Sequence, residues 1–234
     1  MLEPVPEDWS RGLAVVAHPD DMEYGAASAV ARWTGQGKEI AYLLVTRGEA
    51  GIDSMTPEAS VAARAGEQEA SCRAVGVDRL EYLNHADGLV VADLDLRRDL
   101  AGALRRHRPE VVIGINFRES WGGPSWNHAD HRAVGVALLD AVRDAANRWI
   151  FPELGEPWSG VRFALFSHGL DATHGVDVTE TLDKGIESLR CHQVYLDNLG
   201  ANAPDPDEML RSAAAATGPR LGTTYAVPFE LFAF

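Results

Sequence analysis

The sequence predicts one α/β domain, a mostly parallel sheet flanked by helices. Three observations carry that expectation. Short apolar, β-branched runs alternate with longer stretches of helical period. No internal repeat, low-complexity tract or linker-like break interrupts the 234 residues. With 46% hydrophobic and 24% charged residues, the chain has the composition of an ordinary globular core, so residues 1–234 are expected to form a single domain.

Taken in order, Gly12 to Ala17 reads as a buried strand and Met22 to Gly35 as the helix that follows it. Ile40 to Thr46 is a second strand. Thr56-Pro57-Glu58 opens a helix with proline at its first position, and Val75-Gly76 ends it. Leu80 to Asn84 is a third strand. Asp93 or Asp95 caps a helix whose last turn, Arg105-Arg106-His107-Arg108, sets cations at the negative end of the dipole before Pro109 stops it. Val111 to Asn116 is a fourth strand. A loop of Gly, Pro, Ser and two tryptophans, Asn116 to Asn127, then leads into a helix from about His128 to Arg148. Phe163 to Ser167 and Val176 to Val178 are expected as strands and Glu180 to Leu196 as a helix. The turn Ala203 to Asp207 starts a last short helix, and Tyr225 to Phe234 reads as an edge strand despite Pro228.

Charge narrows the partners. Lys and Arg total 21 against 35 Asp and Glu, a net −14 that repels phosphodiester backbones and anionic headgroups, and no basic patch offsets it. Neither a nucleic acid nor a membrane is expected as a partner. The segment Met1 to Arg11 is acidic and carries two prolines, and no apolar run nears the ~18 residues of a spanning helix. Cys72 and Cys191 are too few and too far apart for a disulfide framework or a cysteine metal site. A cytoplasmic setting is the expectation.

In an open α/β sheet ligands bind beyond the carboxyl ends of the strands. The first such turn reads His18-Pro19-Asp20-Asp21-Met22-Glu23. A dinucleotide enzyme needs glycines here, and three carboxylates would repel a pyrophosphate. A His and an Asp three residues apart can instead aim a nitrogen and an oxygen at one point, a mixed donor set that suits zinc. After the fourth strand comes His128-Ala129-Asp130-His131 at a helix start, where residues three apart share a face. No Gly-x-Ser-x-Gly occurs, which argues against a serine hydrolase.

These two segments together resemble the zinc-dependent N-deacetylases of the PIG-L / LmbE-like family. Weaker matches are Thr46-Arg47-Gly48-Glu49-Ala50-Gly51, Arg64 with Glu67, Asp87-Gly88, and Lys184 with His192. The resemblance implies a Rossmann-like, LmbE-like sheet with His18, Asp21 and His131 as metal ligands and an open position for water. Zinc is the metal it implies, with Fe2+ as the alternative because His/Asp ligation discriminates weakly. Asp20 matches the family's general base. His128 matches the histidine that stabilises the oxyanion, with Asp130 orienting it and keeping it cationic. Arg64 and Asp87 match substrate-binding positions, although Arg64 with Glu67 also fits an i,i+3 helical ion pair.

The implied reaction removes an acetyl group from a small-molecule N-acetylated amine, an N-acetylglucosamine-type sugar or conjugate. The alternatives are an amidase cutting a larger sugar-thiol conjugate at the same centre, or a non-catalytic metal- or carbohydrate-binding module. Relatives assemble, so a homo-oligomer is an open expectation. Ala86 stands where many relatives carry arginine, and His192-Gln193 departs from the family's His-x-Ser-Gln, so His192 reads as helix packing. Glu23 reads equally as support for the ligands or as an acid favoured at a helix start. Specificity is expected in the loops 47–57 and 116–127.

Overall fold

In the computed structural model, which describes residues 1–200 and 205–234, the apolar runs pair into one eight-stranded sheet. In chain order the strands and helices are β1 (Glu3–Pro4), β2 (Arg11–Val16), α1 (Asp21–Gly25), α2 (Ala27–Gly35), β3 (Glu39–Leu44), α3 (Pro57–Ala74), β4 (Arg79–Tyr82), α4 (Leu94–His107) and β5 (Val111–Ile115). There follow β6 (Ser120–Gly122), β7 (Ser125–Trp126), α5 (Ala129–Ala146), β8 (Phe163–Ser167), β9 (His174–Asp177), α6 (Leu182–Arg190), α7 (Gln193–Asp197), α8 (Pro206–Leu221) and β10 (Ala226–Ala233). The sheet order is β1-β9-β10-β8-β5-β2-β3-β4. Strands β8, β5, β2, β3 and β4 run parallel. The expected α/β architecture therefore holds.

The central strands are buried on both faces, which is why they read as continuous apolar runs: every residue of β5 and β8 is buried. Leu13, Val15 and Val112 pack on one face with Leu100, Leu104 and Leu138 of α4 and α5. Ala14, Val16 and Ile113 pack on the other with Val30 and Trp33 of α2. Strand β2 pairs with β3 on one side and β5 on the other, so the chain reverses its direction of winding beside β2. Loops leaving β2 and β5 therefore open into one crevice, the place such sheets bind ligands.

Five expectations need correction. Strand β10 is not an edge strand: it lies between β9 and β8 and runs antiparallel to both. Pro228 is tolerated because it pairs only with Gly175 of β9, while β8 ends at Ser167 opposite Phe229 and leaves that flank of Pro228 without a ladder. The first long helix is two helices broken at Ala26, whose φ of −145° is not helical. Gly25, just before the break, lies so close to Ile115 and Ser167 that a side chain there would collide with them. The helix expected over 180–196 likewise breaks at Cys191-His192. The loop 116–127 holds the small hairpin β6–β7, turned at Gly122-Gly123. Of the turn expected over Ala203 to Asp207, residues up to Pro204 lie outside the described residues, and the helix after it, α8, has 16 residues rather than a few.

Glu7 braces α2 against the segment leading into β2. Its carboxylate accepts from Arg32 Nε at 3.0 Å, Trp33 Nε1 at 2.9 Å and Gln36 Nε2 at 2.8 Å. Burial alone would raise its pKa; the hydrogen bonds from Arg32 and Gln36 outweigh it and hold the carboxyl below its ordinary 4.5. A depressed folded pKa adds stability above the unfolded pKa and loses it as pH falls through the folded one. The stability difference between wild type and Glu7→Gln is thus expected to be largest above pH 4.5 and to shrink below it, in urea melts across pH 3 to 7. A difference constant with pH would contradict the assignment.

Candidate metal centre

The turn after β2 is built by its own backbone. Asp20 takes a left-handed conformation, φ 79°, which asparagine and aspartate tolerate better than other side chains. It occupies the N-cap position of α1 but makes no side-chain cap bond, leaving its carboxylate free for other work. Asp21, one residue on, folds back: its Oδ2 accepts from the amides of Ala17 at 3.0 Å and His18 at 2.8 Å. Two amides thus fix the carboxylate, and its other oxygen, Oδ1, is turned toward His131 Nε2 at 3.1 Å.

The second segment arrives from the far side of the crevice at the start of α5. His131 Nε2 lies 3.2 Å from His18 Nδ1, and His18 Nδ1 lies 3.6 Å from Asp21 Oδ2. The remaining nitrogen of each ring faces an acceptor. His18 Nε2 is 3.1 Å from both Asp87 Oδ1 and Asp130 Oδ2, and His131 Nδ1 is 3.0 Å from Asn127 Oδ1. With the ring protons on the nitrogens that meet outer acceptors, the state a bound cation selects, His18 Nδ1 and His131 Nε2 present lone pairs to each other and to the two oxygens of Asp21. Three lone-pair donors held together without a proton between them repel unless a cation sits among them. The donor set fits a divalent metal, and the outer partners orient the rings as metal-binding histidines require.

Among the described residues, two sets of donors lie within 4.8 Å of one another: His18, His128 and His131, and His18, Asp87 and Asp130. The second is already engaged by the protein. Asp130 accepts from the amides of Gly88 and Val90 at 2.8 and 3.1 Å, and Asp87 from the amide of Ala50 at 2.8 Å. Burial would lower the His18 pKa, yet Asp21, Asp130 and Asp87 together raise it well above its ordinary value. The crevice is a place that favours positive charge.

Asp20 stands beside these donors, held by α3. Arg64, itself 2% exposed, donates to Asp20 Oδ2 at 2.8 Å, to Pro19 O at 2.7 Å and to Gly48 O at 3.2 Å. Gly48 and Gly51 make room for that guanidinium, since a side chain on either would overlap it. Gln68 accepts the Asp20 amide at 3.1 Å and donates to Glu23 at 2.9 Å, so Glu23 supports the turn through α3. Burial raises the Asp20 pKa, Arg64 opposes it, and Asp21 adds to the rise. The i,i+3 pair of Arg64 with Glu67 does not form, because Glu67 accepts the Val194 amide instead.

His128 is the N-cap of α5, its Nδ1 accepting the Asp130 amide at 3.2 Å. That bond leaves the proton of the neutral ring on Nε2. The side chain is 48% exposed and its ring centroid is 5.0 Å from that of His18. Asp130 differs from expectation: its carboxylate turns to His18, and the distance to His128 Nδ1 is 4.0 Å. Burial and the neighbouring His18 lower the His128 pKa, so the ring is not held cationic. Asp87 braces His18 from the same side as Asp130.

A cavity of about 620 Å3 opens over these groups, lined among others by His18, Asp20, Asp21, Arg64, Asp87, His128 and His131. Trp121 lines it too, edge-on to His131 and His168. Trp126 is 66% exposed beneath Arg132, and Lys184 lines a separate polar cavity near α2. His192 is fully buried, 3.8 Å from Glu23 Oε2. Sequence reading missed Asn127 and Gln68. The first carried a signal, as the last residue of a loop that ends at a ligand helix; the second, mid-helix in α3, carried none.

A family profile described as PIG-L, GlcNAc-PI de-N-acetylase, matches residues 13–142. The diacetylchitobiose deacetylase of Thermococcus kodakarensis is 26% identical over 192 residues, 80% of this chain and 70% of that one. A 1D-myo-inositol 2-acetamido-2-deoxy-α-D-glucopyranoside deacetylase of Saccharopolyspora erythraea is 30% identical over 172 residues, 62% of this chain and 61% of that protein, so the alignment spans under two thirds of its length. Among solved structures, the N,N'-diacetylchitobiose deacetylase of Pyrococcus horikoshii superposes with a TM-score of 0.84 at 24% identity, covering 97% of this chain and 85% of that one. The 4-carboxy-2-hydroxymuconate hydratase of Pseudomonas putida KT2440 superposes with a TM-score of 0.78 at 21% identity, covering 95% of each chain. The fold is thus shared by deacetylases and a hydratase, and a reaction has to be argued from the site.

Asn127 anchors both histidines of α5, accepting from His131 Nδ1 and from the His128 amide. Asn127→Leu is expected to weaken metal binding by about 10–100-fold, read by competition with a chelator. Unchanged affinity would show that the His131 ring needs no such partner.

Proposed function

The chain belongs to the PIG-L, GlcNAc-PI de-N-acetylase family, and from that premise we propose that it is a metal-dependent N-deacetylase acting on an N-acetylated amine, an N-acetylglucosamine-type sugar or conjugate. The observation that carries the reading is the convergence of His18 Nδ1, His131 Nε2 and an Asp21 carboxylate already fixed by two amides, with Asp20 beside them and uncommitted to a cap. Three protein donors leave a further coordination position, as a catalytic rather than a structural centre requires. The ligands are His18, Asp21 and His131, and zinc is the ion we assign, with iron(II) as the alternative. A divalent ion held there supplies Lewis-acid polarisation of the amide carbonyl and makes water a better nucleophile at neutral pH.

The chain's own residues do the rest. Asp20 accepts the proton that the attacking water gives up as its oxygen bonds to the carbonyl carbon. Burial raises its proton affinity toward what a base needs, while Arg64 keeps it ionised and aimed. His128 holds a proton at Nε2 and offers it to the developing oxyanion. As the C–N bond breaks, the proton held by Asp20 passes to the amine nitrogen, and acetate and free amine leave. Asp87 and Asp130 act through His18, whose Nε2–H they share. Arg64 acts through Asp20 and also lines the cavity.

The same reading assigns a small-molecule partner and a cytoplasmic setting. In support, no helix among the described residues is long and apolar enough to cross a membrane, and Cys72 and Cys191 are free thiols.

Asp20→Asn is the direct test. It is expected to leave about one metal per chain, measured by elemental analysis, while acetate release from N-acetylated sugars falls by ~10²-fold or more. Persistent activity would remove Asp20 from the base's role; loss of the metal would make it a ligand.

A further inference from the structure

The cavity over the metal centre is of a size that takes a drug-sized ligand, more than one N-acetylhexosamine fills, and its lining is divided. On the side of the ligands, the charged groups are spent on the protein itself. Arg64 gives its N–H groups to Asp20, Pro19 and Gly48, and Asp87 takes His18 and the Ala50 amide.

Other parts of the lining are apolar: Ile115 and, from one face of α8, Met209, Leu210 and Ala213, together with the rings of Tyr24 and Tyr195, the latter stacked on the Arg64 guanidinium. Met209 and Leu210 are only half-buried and Ala213 is exposed, so their apolar surface faces water within the cavity. A smaller cavity of about 80 Å3 shares Tyr24, Leu210 and Ala213 with the first and extends the same wall. Apolar surface inside a concave pocket gains free energy when an apolar group covers it. An acetyl methyl, tied to the carbonyl at the metal centre, is too small to cover a wall this wide.

We propose that this wall binds an alkyl or aryl group carried by the amine-bearing half of the substrate, and that Met209, Leu210 and Ala213 set specificity for it. The proposal rests on the deacetylase reading for the identity of the reacting amide. It makes the substrate an N-acetylated amino sugar with an apolar substituent rather than a free oligosaccharide.

The test uses the metal-loaded protein and alkyl N-acetylglucosaminides from methyl to hexyl. Each methylene covered by the wall is expected to raise kcat/KM about fourfold until the wall is filled. Ala213→Gln and Met209→Gln, exposed or half-buried positions on a helix that tolerates glutamine, are expected to flatten that gradient. A parallel calorimetric titration uses alkyl glucosides, which lack the amide, and the Kd is expected to fall along the same series. No dependence on chain length in either measurement overturns the proposal, as does a gradient that both variants leave intact. A gradient that follows the length of the N-acyl group instead also overturns it. If no glycoside is deacetylated but the Kd gradient appears and the variants abolish it, the wall stands and the deacetylase reading falls.

Discussion

The structure turns on one electrostatic constraint: two imidazole nitrogens 3.2 Å apart each face an oxygen of one carboxylate, His131 Nε2 facing Asp21 Oδ1 at 3.1 Å and His18 Nδ1 facing Asp21 Oδ2 at 3.6 Å, in a crevice where the rest of the protein adds further carboxylates. Such an arrangement is stable only around positive charge. Much of the surrounding architecture serves to hold it. The sheet reverses its winding beside β2, so the segments after β2 and β5, more than a hundred residues apart, face each other. Asp87, Asp130 and Asn127 take the outward-facing N–H of each histidine and fix which nitrogen points inward. A hydrogen-bond donor in place of any of these acceptors would reverse a tautomer and turn a proton into the centre.

The neighbouring Asp20 is held by a different device. A left-handed residue at the N-cap position points its carboxylate away from the helix it would ordinarily cap. Arg64 then ties that carboxylate, and Gln68 ties its amide, to α3. Glu23, Gln68 and Ser71 continue this network into the interior between α1 and α3, where Ser71 meets Ser188 of α6. A buried polar network of this kind fixes one geometry, because its members have no equally good alternative partners. The strained turn is thus supported from α3 and α6 as well as by its own short helix.

How much of this was legible in the sequence follows from range. His18 with Asp21 is a local pair, and His128 with His131 is one turn of a helix, so spacing alone exposes both. The α/β alternation was legible for the same reason, since β2 and β5 are apolar throughout. What spacing does not encode is register across the sheet. Asp130 was expected to serve His128, its near neighbour, but serves His18, 112 residues away. Arg64 was expected to pair with Glu67 or to line a substrate site; it lines the cavity, and the partner that spacing did not show is Asp20, 44 residues back. Strand β10 was taken for an edge because Pro228 cannot donate a ladder bond. That reasoning holds at the residue and fails for the strand, because β8 stops one residue short of it.

The fold leaves the reaction open, since a hydratase shares it; what favours the proposed amide hydrolysis is a donor set fit for a metal on one flank of His18, with the Arg64-bound carboxylate of Asp20 beside it. His18 has two flanks, and the account depends on which one holds the ion. Anomalous diffraction at the absorption edge of the metal bound by the purified protein decides it. The account predicts one peak between His18 Nδ1, His131 Nε2 and Asp21, about 2.0–2.2 Å from each if the ion is zinc. A peak on the opposite flank, between His18 Nε2, Asp87 and Asp130, would contradict it.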